Sequence, residues 1–173
     1  MKGVIPKCLG ELIVSKFGKD NWKKILKESG LSENTLFMAV QDIDDAAVMK
    51  VVETTCRILN ITLIQAADAF GEYWVCEFAP KIYSGYYKNK TTTKDFLLAM
   101  DAVHQKTTIN MAGARPPRFE YEWKSDNTLI MHYKSHRGLI DFLVGLVKGV
   151  VKYFKEKHIV TKISDTKVQI VFK

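Results

Sequence analysis

The chain has 173 residues, 47% of them apolar and 11% aromatic, enough to bury a sizeable core in one compact domain. No run of about 18 apolar residues occurs, which argues against a membrane span. The net charge of +7 comes from scattered lysines, with arginine confined to Arg57, Arg115, Arg118 and Arg137. Without a tight basic cluster interleaved with aromatics, that charge does not indicate nucleic-acid binding.

The opening, "MKGVIPKCLGELIV", holds a proline, a glutamate and no small-residue cleavage site, so it reads as mature protein rather than a signal peptide. Helical spacing of Leu12, Ile13, Phe17, Trp22, Ile25 and Leu26 predicts helix broken at Gly18 and Gly30. Asp44 or Asp45 is placed to cap a helix through Val48, Val51, Val52 and Ile58 to Leu59. A further helix is predicted from Leu63 to Ala79, stopping at Pro80, and "SGYYKNKTTT" reads as a loop. Thr93 is the expected N-cap of a helix over "KDFLLAMDAVHQKTTINM", whose apolar stripe includes Phe96, Met100, Val103 and Met111. Pro116 and Pro117 then force extended chain. "FEYEW" and "TLIMHYKSHR" alternate around the turn signal "SDN", which predicts an antiparallel hairpin. "GLIDFLVGLVKGVVKYFKE" reads as an apolar-faced helix despite Gly145 and Gly149, and "TKISDTKVQIVFK" alternates around another turn. The expected fold class is α+β: N-terminal helices, then a small antiparallel sheet with one helix packed on it.

Cys8, Cys56 and Cys76 are odd in number and far apart, with no C-x-x-C pair. That excludes a disulfide framework and a zinc ribbon, and a reducing cytoplasm is the simplest setting. The absence of C-x-x-C-H means that any haem is held without covalent attachment. No P-loop, nucleophile with its base, or paired-carboxylate signature is legible, so no catalytic activity is expected. His104 falls on or beside an apolar helix stripe. Such a histidine is commonly a core residue with one hydrogen bond, yet a neutral imidazole also ligates metal, and one suffices for haem iron. Tyr133, Ser135 and Arg137 alternate along the expected strand and would share its face with Leu129 and Met131. That row is either an ordinary exposed sheet edge or an anion clamp, since a guanidinium fork and two hydroxyls suit carboxylates.

"MDAVH", "GARPPR" and "YKSHRG", with the opening "MKGVI" and the acidic "DIDD", resemble a haem-nitric oxide/oxygen binding (H-NOX) domain over essentially the whole chain. That family is the bacterial relative of the haem domain of soluble guanylate cyclase. The resemblance implies a single domain over 1–173, with a helical part over about 1–65. The remainder, about 66–173, would hold the ligating helix and the sheet, with haem b bound non-covalently between the two parts. It implies His104 as the iron ligand and Tyr133, Ser135 and Arg137 as propionate donors. Pro117 would pack against one haem face and Ile5, on the N-terminal helix, against the other. Leu9, Trp74, Phe78, Phe142 and Leu146 match pocket-lining positions. Oxygen-holding members place a tyrosine where this chain has Phe142, while Trp74 stands where some members carry a polar side chain. The expectation is therefore a sensor for nitric oxide, and for CO, that excludes oxygen.

By the same resemblance, binding relaxes the haem and shifts helices, signalling to a partner. Candidate partners are a histidine kinase, a cyclic-dinucleotide enzyme or a fused chemotaxis receptor. An input domain cut from a larger receptor or cyclase, and a haem-free interaction module of the same fold, are the alternatives.

Overall fold

Helix α1 (Val4–Phe17) turns its buried side, Cys8, Leu9, Leu12 and Ile13, toward the core and ends at Gly18, whose φ of +86° suits glycine. The computed structural model describes all 173 residues and divides into two units, 1–66 and 67–173. In the first, α2 (Lys19–Glu28) follows Gly18 directly and buries Ile25 and Leu26. Gly10 lets α2 approach α1, because a Cβ there would stand 2.8 Å from the indole of Trp22. The strand-like bridge Lys2–Asp42 and the ion pair of the Met1 amino group with Asp45 tie the chain's start to the start of α3 (Asp45–Leu59). Asp44 occupies the N-cap position of α3, although its side chain makes no capping hydrogen bond. Asn60, at φ +52°, closes the helix in the left-handed conformation that asparagine tolerates. A reciprocal capping box starts α4 (Leu63–Tyr73): the Thr62 N–H donates to Gln65 Oε1 at 2.8 Å and the Gln65 N–H to Thr62 Oγ1 at 3.2 Å.

In the second unit the helix does not stop at Pro80. It widens into a π-helical segment (Trp74–Phe78), and Pro80 enters the short α5 (Ala79–Ile82) in its first turn. In the widened register the Ala79 N–H donates to Trp74 O, and Pro80 has no N–H for Val75 O. The Tyr87 hydroxyl takes that carbonyl instead, at 3.0 Å. Tyr87 lies on α6 (Ser84–Tyr87), one turn of helix inside the segment expected to be loop.

Helix α7 (Thr93–Thr108) is capped by Thr92, whose Oγ1 accepts the Asp95 N–H at 3.1 Å; Thr93 is the first helical residue and is buried. The expected cap is therefore displaced by one position, because three successive threonines offer the same side chain. β1 (Arg118–Ser125) and β2 (Thr128–Lys134) form the predicted hairpin. α8 (Ile140–Tyr153), β3 (Ile159–Ser164) and β4 (Lys167–Val171) follow. The antiparallel sheet has the order β1-β2-β4-β3. Leu129, Met131 and Tyr133 of β2, with Val168 and Ile170 of β4, pack in one apolar cluster with Leu143, Val147 and Val150 of α8 and Phe96 and Leu97 of α7.

The two glycines of α8 permit a close helix crossing. A Cβ on Gly145 would lie 2.1 Å from the carbonyl oxygen of Ala67, and one on Gly149 2.4 Å from that of Gly71. Ion pairs Lys148–Asp68 at 2.7 Å and Lys152–Glu72 at 2.6 Å flank the crossing of α8 with α4.

Candidate haem site

His104 lies in the second half of α7, and its Nδ1 is 3.0 Å from the carbonyl oxygen of Pro117. Only a protonated Nδ1 can donate to that carbonyl, so the neutral ring carries its lone pair on Nε2. Burial pushes the imidazole below the ordinary histidine pKa, against the opposing effects of the Pro117 carbonyl and the Asp101 carboxylate. A neutral imidazole with a backbone acceptor on one nitrogen and the other left basic is the form that ligates iron. Pro117 thus has a role in orienting His104 through its carbonyl, as well as in ending the preceding chain.

Asp101, one turn before His104, accepts from Arg118 Nε and Nη2, both at 2.7 Å, and from the Phe119 N–H at 2.9 Å. The Arg118 fork holds the Asp101 carboxyl down to about 2. Together these bonds clamp α7 to the start of β1. Phe119 packs its ring 5.2 Å from that of His104 and stacks at 6.3 Å on Tyr133.

The Tyr133 ring is 7% exposed, while its hydroxyl makes no hydrogen bond to the protein. Beyond Lys134 the chain leaves the strand, so the expectation of one continuous face for Tyr133, Ser135 and Arg137 does not hold. Ser135 Oγ accepts the Arg137 N–H at 3.2 Å, a local turn that competes with strand pairing, and Gly138 follows at φ +63°. The turn brings Arg137 Nη1 to the carbonyl oxygen of Arg115 at 2.7 Å. The donor set stays local even so: Arg137 rests against the segment that leads to Pro117. The hydroxyls of Tyr133 and Ser135, the guanidinium of Arg137 and the neutral imidazole of His104 are the donor and ligand types that a macrocycle with a metal centre and two carboxylates requires.

A second group gathers around the π-helical segment. Trp74 stacks on Phe70 at 5.8 Å and meets Phe78 at 5.4 Å and Tyr83 at 6.5 Å. Phe70 in turn meets Phe142 edge-on at 5.6 Å. Phe78 is buried, Phe142 and Leu146 are half-buried one turn apart on α8, and no side chain in this group is ionisable apart from the phenol of Tyr83. Burial raises that phenol's pKa. Ile5 and Leu9 lie one turn apart on α1 in the other unit, Leu9 buried and Ile5 half-buried.

Four residues of this architecture escaped the sequence reading. Phe119 falls in an alternating strand pattern and Phe70 in a helical one, neither of which marks a site, and the Asp101–Arg118 clamp joins positions 17 apart with no local signal. The spacing of Asp101 to His104 on one helix face was the available hint.

The family model for haem-NO-binding proteins matches residues 2–162. Among curated relatives, the soluble guanylate cyclase gcy-35 of Caenorhabditis elegans is 23% identical over 171 residues, covering 96% of this chain and 25% of that protein. The soluble guanylate cyclase gcy-34 of the same organism is 26% identical over 156 residues, covering 88% of this chain and 23% of that protein. The chain thus spans about a quarter of the length of these relatives. Among solved structures, an oxygen-binding H-NOX domain related to soluble guanylate cyclases, in its oxygen complex, aligns with a TM-score of 0.85 and 25% identity, covering 100% of this chain and 95% of that one. A Cs H-NOX variant bearing an unnatural amino acid aligns with a TM-score of 0.90 and 25% identity, covering 100% of this chain and 97% of that one. With its α+β fold and the family model matched over residues 2–162, this chain belongs to the haem-NO-binding (H-NOX) family, whose domain is a haem-binding gas sensor related to the haem domains of soluble guanylate cyclases and not catalytic by itself.

Proposed function

We propose that this chain holds a non-covalent b-type haem, senses nitric oxide, and also CO, at ferrous iron, and excludes oxygen. The observation that carries the selectivity is the apolar character of the group formed by Phe70, Trp74, Phe78 and Phe142. Haem, when bound, supplies a ferrous iron that takes diatomic gases. His104 Nε2 is the protein's ligand to it, with Nδ1 fixed by the Pro117 carbonyl. Tyr133, Ser135 and Arg137 hold the propionates. Pro117, Ile5, Leu9, Trp74, Phe78, Phe142 and Leu146 are the side chains that would contact the haem and its gas ligand.

Oxygen as a ligand gathers negative charge on its outer atom and gains from a donor, whereas nitric oxide binds strongly without one. A hydrogen bond to a charged group contributes about 1.5–3 kcal/mol, roughly ten- to a hundredfold in affinity. Phe142 contributes none of it. The Trp74 indole N–H makes no hydrogen bond to the protein and, with the hydroxyl of the neighbouring Tyr83, is a donor to test.

Ligand-dependent movement of α7, which carries His104, would be read by a partner protein. A histidine kinase, a cyclic-dinucleotide enzyme, a fused chemotaxis receptor or a cyclase region would each suit. The cysteines, none of them in a disulfide, and the absence of any helix long and apolar enough to cross a membrane support a cytoplasmic setting.

The deciding experiment is an absorbance titration of the purified ferrous protein. A Soret band that shifts with nitric oxide and stays unchanged in air is expected, and Phe142→Tyr should add measurable oxygen affinity. A stable oxygen spectrum in the parent overturns the selectivity, and Trp74→Phe would then be the next variant. A colourless protein that takes up no added haemin overturns the haem assignment.

A further inference from the structure

The sequence shows scattered lysines, but the fold gathers several of them at the N-terminal end of α7. A closed circuit of contacts defines the patch. Lys94 Nζ stands 4.5 Å from the centroid of the Trp123 ring, and that indole packs on Phe172 at 5.8 Å. Phe172 meets His158 edge-on at 5.1 Å. His158 Nδ1 accepts the Lys173 N–H at 3.1 Å, which leaves the ring proton on Nε2 to donate to Glu156 Oε2, also at 3.1 Å. Glu156 Oε2 accepts the Thr93 N–H at 2.8 Å, which returns the circuit to the residue beside Lys94. Contacts therefore join α7, β1, the residues after β4 and the α8–β3 connection beneath this surface.

A cleft of about 440 Å³ opens on this surface, lined by Lys94, Trp123, Lys124, Ser125 and Asp126. Lys155 and Lys157 flank Glu156 in sequence, and Lys88 and Lys90 precede α7. Glu156 is engaged by Thr93 and His158, and Glu122 by Lys124 and His132. Asp126 on the cleft and Asp95 on α7 are the carboxylates that form no ion pair here, whereas Lys88, Lys90, Lys94, Lys155 and Lys157 form none either. Unpaired lysines outnumber unpaired carboxylates around the N-terminal end of α7, which gives the surface a positive field. The exposed edge of Trp123, 40% accessible, supplies an apolar wall.

We propose that this surface docks an acidic peptide segment of a signalling partner, one carrying an aromatic or aliphatic side chain for the Trp123 cleft. Three features favour a peptide over a nucleic acid. The cluster holds no arginine, the residue suited to bidentate phosphate contact. Its one indole is already engaged by Lys94 and Phe172 rather than presented as a stacking platform. Asp126 lines the cleft, where a continuous phosphate backbone would meet it. A bilayer needs protruding apolar anchors, and Trp123 lies packed beneath Lys94.

The proposal rests on the sensor reading for its signalling role. Glu156 joins the docking surface to the first residue of the helix that carries His104, so movement of α7 alters the surface directly. That coupling is reciprocal: a segment bound here biases the position of α7.

The test uses the haem-loaded protein and a fluorescein-labelled dodecapeptide of aspartate and glutamate with one central phenylalanine, followed by anisotropy. Saturable binding is expected. It should weaken at least tenfold in Lys94→Glu/Lys157→Glu and several-fold between 50 and 300 mM salt, as screening of exposed charges requires. A glutamate at 94 suits the first turn of a helix, so α7 should persist. Lys155→Glu/Lys157→Glu provides a second pair remote from the helix. Failure of the peptide to bind the parent, or parent-like affinity in both pairs, overturns the proposal. So does selective loss of a single-stranded RNA dodecamer or of phosphatidylserine vesicles from these variants while the peptide is ignored. Peptide affinity should differ several-fold between the ferrous protein with and without nitric oxide; equal affinity removes the surface from signalling. The Soret band is recorded in the same samples, so a failure of haem binding shows separately from a failure of docking.

Discussion

His104 is held neutral by burial and aimed by the Pro117 carbonyl, so its replacement should be specific in effect. His104→Gly should lose haem during expression and recover it with added imidazole, read from the Soret band. Normal haem content without imidazole would remove His104 from the site. His132 pairs with Glu122 on the other side of the strand and His136 is exposed in the turn, so replacing either should leave haem content unchanged. Arg137→Ala should release haem to apomyoglobin roughly tenfold faster or more, from the loss of a charge-assisted hydrogen bond of about 1.5–3 kcal/mol. Arg137→Lys should recover part of the retention, because the ammonium keeps the charge and loses the planar fork. Equal release rates in all three proteins would place Arg137 outside the site. The residue types of this donor set were legible in the sequence, but their placement was not. The strand ends at Lys134 because Ser135 captures the Arg137 amide, a competition that alternation of polar and apolar residues does not report.

At the scale of elements, the π-helical segment and the α4–α8 crossing hold the second unit's shape. Tyr87→Phe removes the donor for the Val75 carbonyl and keeps the ring against Phe96 and Tyr153. A buried carbonyl left unmatched costs about 1–3 kcal/mol, which chemical denaturation should show as a lower midpoint at unchanged slope. Gly145→Ala should cost at least as much. Its Cβ would meet the Ala67 backbone, which cannot yield as a flexible side chain can, and overpacking costs about 1–3 kcal/mol. A wild-type midpoint for Gly145→Ala would show that the helices separate freely. Pro80 by itself predicts a helix end; the continuation depends on Tyr87, seven residues further on, and no pattern local to Pro80 announces it.

For the molecule as a whole, haem binding and folding are linked. A ligand bound by the folded state alone adds about 4 kcal/mol at a thousandfold excess over its dissociation constant. Thermal unfolding of the haem-loaded protein should therefore occur well above that of the haem-free one, and His104→Gly should abolish the difference. Acid stability has an identifiable contributor. The Arg118 fork holds the Asp101 carboxyl at about 2, below the ordinary value of about 3.9. Because the folded-state value is the lower one, the stabilisation is complete above about pH 4 and is lost as pH falls toward 2. The pair is partly exposed, so solvent screening keeps the effect modest. Asp101→Asn should flatten the pH dependence of the unfolding midpoint over that window, and an unchanged profile would assign acid sensitivity elsewhere.

The sequence by itself determined the helix and strand periodicities, the α+β class and the candidate ligand His104. These rest on local spacing, which survives folding because each element buries its own apolar stripe. It also carried the family, through short motifs from "MKGVI" at the start and "DIDD" to "MDAVH", "GARPPR" and "YKSHRG" further on. Tertiary structure alone decided which nitrogen of His104 is left basic, since that follows from a carbonyl 13 residues away. It decided that Asp101 and Arg118 clamp α7 to the start of β1, and that Gly71, Gly145 and Gly149 mark a close crossing rather than weak helix. It also turned dispersed lysines into one basic surface around Trp123. Each of these joins residues distant in sequence, and a single chain's pattern contains no term for contacts made only once the elements have packed.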